Sequence, residues 1–88
     1  MKYHYMRISP TTVRIELIPE DNSEKMLLQD LAQGGPEDQA LNKLFENGLA
    51  IYQSSTKLMS KKFMDFPRVA LCSFEMISNL SQNSILLT

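Results

Sequence analysis

The chain has no tryptophan, one cysteine and one histidine among its 88 residues. The lone cysteine, Cys72, cannot close an internal disulfide, and it sits in the apolar run Val69-Ala70-Leu71-Cys72. A buried, inert thiol in a reducing cytoplasm is therefore expected. The lone histidine, His4, lies between two tyrosines near the chain start. Acid–base and nucleophilic catalysis need groups that converge, and none is visible, so neither an enzyme nor a cofactor is expected. One His and one Cys far apart give no zinc-ligand spacing. Glu20, Asp21 and Glu24 lack the looped spacing and the glycine of a calcium site. Gly34-Gly35 follows a helical pattern instead of opening one, and no Gly-Lys-Ser/Thr ends it, so it is no phosphate loop. No uninterrupted apolar run exceeds four residues, so neither a membrane span nor a signal-peptide core is expected.

Charge of one sign is also lacking overall, since the formal net charge is −1. Such a balance gives no global attraction to DNA, RNA or anionic lipid. The distribution is uneven. Between Glu16 and Glu46 eight acids stand against two bases, and both flanks are mildly basic. This dipolar pattern suits a protein partner or an antiparallel self-dimer. What the chain does have is an ordinary globular composition, with 43% apolar and 22% charged residues, which argues against disorder of the whole chain. Its length allows one domain, 1–88, with a thin stability margin that makes a homo-oligomer attractive. Residues 1–9 and 78–88 are expected to be flexible or to contact a second copy; the tail carries Ile85-Leu86-Leu87.

Val13, Ile15 and Leu17 alternate with Arg14 and Glu16, which predicts a strand over 12–18 bounded by Pro10 and Pro19. Tyr3 to Ile8 reads more weakly as an earlier strand. Asp21 followed by Glu24 forms a capping-box signal, and Leu27, Leu28 and Leu31 then predict a helix over 22–33 that Gly34-Gly35-Pro36 ends. Glu37 and Asp38 in a first turn, then Ala40, Leu41, Leu44 and Phe45, predict a second helix over 37–47, with Asn47-Gly48 as its stop. Leu49-Ala50-Ile51-Tyr52-Gln53 reads as a buried strand. The run 68–77 reads either as a strand with Ala70, Cys72, Phe74 and Met76 on one face, or as a helix; the preceding strand favours a strand. The resulting fold is α+β, a small mainly antiparallel sheet with two helices on one face.

The stretch Ser55 to Phe66 carries Lys57, Lys61 and Lys62 among Leu58, Met59, Phe63, Met64 and Phe66. Read as an amphipathic turn, it places Met59, Phe63 and Phe66 on one side and Lys57 and Lys61 on the other. Such a turn covers a sheet while its lysines stay solvated. Its functional addition is a protein-contact surface, since Met and Phe adapt well to partners. The partner-binding candidates are Lys57, Met59, Lys61, Lys62, Phe63 and Phe66. The expected function is that of a small cytoplasmic, non-enzymatic accessory protein that binds a protein partner and self-associates. Phage and mobile elements are associated with small proteins of this kind. The alternative is a nucleic-acid-binding regulator using the basic stretch 57–68. It is less favoured, because four bases are few and Asp65 sits among them. A membrane surface is not expected, as the stretch is short and has no tryptophan.

Overall fold

The structure, a computed structural model, describes residues 1–77. The tail from 78 onward, including Ile85-Leu86-Leu87, lies outside the described residues. Six elements follow in order: β1 (Lys2–Ser9), β2 (Thr12–Ile18), α1 (Asn22–Ala32), α2 (Gln39–Tyr52), β3 (Thr56–Asp65) and β4 (Val69–Met76). The four strands form one antiparallel sheet in the order β1-β2-β4-β3, and both helices pack on one of its faces. The domain is therefore α+β. Its outer pairs are hairpins joined at Pro10-Thr11 and at Phe66-Pro67-Arg68, and the Phe66–Pro67 peptide bond is cis. No helix among the described residues is long and apolar enough to cross a membrane.

The alternation in β2 puts Val13, Ile15 and Leu17 on the helix side, each fully buried. β4 lies beside it as a strand, and Ala70, Cys72 and Phe74 meet the same core. Helix α1 supplies Leu28, and α2 supplies Leu41, Phe45 and Leu49. On the other face a cross-strand row runs Met6, Arg14, Leu71, Lys62, beside a second row of His4, Glu16 and Val69. One wet face and one dry face are what an antiparallel sheet with helices on one side requires.

Helix α1 starts as its sequence implies. Asp21 Oδ1 accepts from the Glu24 amide at 2.9 Å, while Glu24 Oε1 accepts from the Glu20 amide at 2.8 Å, one residue earlier than a capping box predicts. The Met1 amine also pairs with Glu24 and Glu20, which ties the start of β1 to the start of α1. The helix ends at the glycines, where Gly35 adopts φ +85°. A side chain is strained in that left-handed conformation, so glycine is the natural stop. Leu27 is not part of the core stripe; it is 46% exposed.

Helix α2 corrects three expectations. Asp38 is its N-cap, accepting from the Leu41 amide at 3.0 Å, so the helix begins after 38 and not at 37. Ala40 is exposed. Most importantly, Asn47-Gly48 does not end the helix, and residues 49–53 are not a strand. The helix runs through them to Tyr52. Leu41, Phe45, Gly48, Leu49 and Tyr52 recur at helical spacing along one side, which the apolar run Leu49 to Tyr52 concealed. Gly48 is buried because β1 crosses over it. A Cβ there would come within 2.6 Å of the Tyr3 ring. Tyr3 Oη donates to the Leu44 carbonyl at 3.0 Å and Tyr5 Oη to the Gly48 carbonyl at 2.6 Å. A glycine in mid-helix costs about 1 kcal/mol of propensity. Here the tyrosine packing and its two hydrogen bonds offset it.

Candidate functional site

The stretch 55–66 is the main correction to the sequence reading. It is no amphipathic turn laid over the sheet but the edge strand β3 itself, with its positive-φ entry at Ser55 (φ 58°). Its pairing with β4 is broken twice. Leu58 is opposite Phe74 and Ser60 is opposite Ser73, so Met59 is extruded. Phe63 is opposite Ala70 and Asp65 is opposite Val69, so Met64 is extruded. Each extra residue re-aims its own side chain and bends the strand. Both extruded residues are methionines, and they are 54% and 58% exposed. Phe66 begins the turn beyond them and is 39% exposed.

The bulges also decide which residues face the core. Leu58, Lys61 and Phe63 lie on the helix side, opposite Phe74, Cys72 and Ala70. Phe63 is half-buried and meets Phe45 edge-to-face at 5.6 Å between centroids. Phe66 in turn meets Phe63 edge-to-face at 4.8 Å. An aromatic chain thus runs from the core, Phe45, to the surface, Phe66. Phe63 is the core cover that the sequence suggested. Phe66 and the methionines are not.

The lysines of β3 do not converge. Lys61 turns inward: its Nζ donates to the Pro36 carbonyl at 3.0 Å and lies 4.4 Å above the Phe63 ring. Lys57, opposite Glu75, and Lys62, opposite Leu71, lie on the wet face. Arg68 is at the turn, 3.9 Å from Glu16. Of the six sequence candidates, Met59 and Phe66 lie on the exposed edge, and Phe63 and Lys61 support it from behind. Lys57 and Lys62 flank it from the other face. Met64 was missed. Helical spacing skipped it, and only the bulge, which depends on cross-strand register, turns it outward.

Cys72 is fully buried, as its apolar run implied. Burial pushes its thiol up to about 12, with Lys61 nearby opposing the shift. His4 lies 4.0 Å from Glu16 on the wet face of β1, far from the thiol's side of the sheet. Among the described residues no group of three or more His, Cys, Asp or Glu is placed to hold a metal ion. Comparisons with protein-family models, with curated proteins and with solved structures gave no match. The class of protein at hand is thus defined by the fold and the β3 edge alone: a two-layer ββααββ domain with a doubly bulged edge strand that exposes two methionines.

Proposed function

We propose that the protein is a small non-enzymatic interaction protein that binds a protein partner, and a second copy of itself, through the β3 edge and the β3–β4 turn. The observation that carries this reading is the coincidence of both bulges with exposed methionines, beside the exposed ring of Phe66. A bulge blunts an edge strand against backbone pairing, so a partner engages the side chains instead of adding a strand. Methionine suits that task, because its flexible thioether fills irregular surfaces. Lys61 is turned to the helix side away from Lys57 and Lys62, and Glu16, Asp65 and Glu75 interrupt the cations of the other face, which favours a protein partner over a phosphate backbone that needs cations in one track.

The test is a Met59→Asp, Met64→Asp double variant. Wild-type protein at micromolar concentration should scatter light as about twice the monomer mass under the general preference for two-fold assemblies. The variant should be monomeric with an unchanged circular-dichroism spectrum. As bait in nuclease-treated lysate of the source cell, wild type should retain a partner that the variant loses. Monomeric wild type, together with identical capture by both baits, refutes the reading. Capture that vanishes with nuclease or with rising salt favours the nucleic-acid alternative.

A further inference from the structure

Apart from the β3 edge, the described residues form a groove of about 600 Å³ at the end of the sheet where β2 leaves for α1. That volume lies within the usual 300–1,000 Å³ of small-molecule sites. Its floor and walls are Leu17, Ile18, Leu28, Ala32 and Pro67. Two cations, Lys25 from α1 and Arg68 from the β3–β4 turn, and one acid, Glu16, also line it. No carboxylate among the described residues is within 4 Å of Lys25. Arg68 is 3.9 Å from Glu16, but Arg14 stands 3.8 Å from the same carboxylate. Two guanidiniums therefore share Glu16, and the groove's own lining, two cations against that one acid, keeps a surplus of one positive charge.

The walls also limit what can enter. Pro19 and Pro67 have no N–H, and the Leu17 amide is already given to the Arg68 carbonyl at 2.8 Å. A peptide laid along this groove would bury backbone groups with few partners, which is costly. An unbroken apolar body avoids that cost. We propose that the groove binds a free amphipathic carboxylate, with an acyl-type chain against Leu17, Leu28, Ala32 and Pro67 and its head group between Lys25 and Arg68.

The probe is decanoate, kept below its micelle concentration and titrated into the full chain while backbone amide resonances are followed. Saturable shifts centred on Ile18, Leu28 and Ala32 are expected. Each exposed cation should contribute roughly two- to fivefold in affinity, so decan-1-ol, with no charge, should bind roughly tenfold more weakly. The Lys25→Gln, Arg68→Gln variant should lose that same factor for decanoate and none for decanol. Both residues are exposed, so this variant keeps the fold. Ala32→Phe, which fills the groove, should abolish both, with a thermal melt to check that it folds. The proposal is overturned by shifts that do not saturate or that scatter over the surface. Equal binding of decanol and decanoate overturns it too, as does binding confined to phosphatidylglycerol vesicles, which would mark a membrane contact instead of a site.

Discussion

Replacing Phe63 with Ala separates core cover from contact surface within β3. The ring is half-buried, packed edge-to-face against Phe45 at 5.6 Å and Phe66 at 4.8 Å, with Lys61 Nζ 4.4 Å above it. Truncating a fully buried Phe costs about 3–5 kcal/mol. Part of this ring already faces water, so the expected loss is ~2–3 kcal/mol. Of that, about 0.5–1.5 kcal/mol reflects the edge-to-face pairing. For a domain of this length each kcal/mol lowers Tm by roughly 4–8 °C, so the melt should fall by roughly 8–24 °C. The assay is thermal and urea unfolding by circular dichroism, run beside Met59→Ser, Met64→Ser. That pair has no core role and, compared at a dilution where both proteins are monomeric, should stay within about 0.5 kcal/mol of wild type. A Phe63→Ala melt equal to wild type would refute the placement of Phe63 in the core. Equal losses from the methionine pair would refute the division of β3 into a supporting row and an exposed one.

Gly48→Ala should destabilise the fold by about 1–3 kcal/mol, because overpacking against the Tyr3 ring outweighs the propensity gained; Tyr3→Ala in the same chain should remove most of that penalty, as a double-mutant cycle in urea would measure. Tyr5→Phe should cost about 1 kcal/mol through loss of the hydrogen bond to the Gly48 carbonyl, read in the same urea series. Cys72 should react with a thiol reagent orders of magnitude more slowly in native than in urea-unfolded protein, since the thiolate is the reactive form. Its raised pKa means that the native state holds the proton more tightly, so this contribution is intact below the ordinary thiol value of 9.0 and is lost as pH climbs toward about 12. The part-buried hydroxyls of Tyr3 and Tyr5 are shifted up too, adding loss at the alkaline end, and Cys72→Ala should flatten the earlier part of the decline in Tm against pH. Lys61→Ala should cost about 0.5–1 kcal/mol, for its bond to the Pro36 carbonyl and its place over Phe63, whereas Lys62→Ala should be silent in a thermal melt.

Much of the fold was written in local pattern. Val13, Ile15 and Leu17 alternate on a strand because every second side chain must face the same way. Asp21 and Gly35 set the ends of α1 through chemistry confined to a few residues: a carboxylate that takes an amide, and a glycine that tolerates φ +85°. The buried thiol followed from its apolar neighbours. Three things did not follow. Asn47-Gly48 carries a local stop signal, but the helix continues: from a strand more than forty residues away Tyr3 packs on Gly48, and Tyr3 and Tyr5 bond the Leu44 and Gly48 carbonyls. The lysines of β3 look like one basic cluster in sequence, yet alternation and two bulges send Lys61 inward and Lys57 and Lys62 to the opposite face. Met64 and the groove between Lys25 and Arg68 have no sequence signature at all. The sequence alone determined the alternation of β2 and the cap that starts α1, because those depend on side chains within a turn of one another. Only the tertiary structure decided which face of β3 is exposed and which cations meet, because register is set by hydrogen bonds to β4, and a single extruded residue reverses every side chain after it.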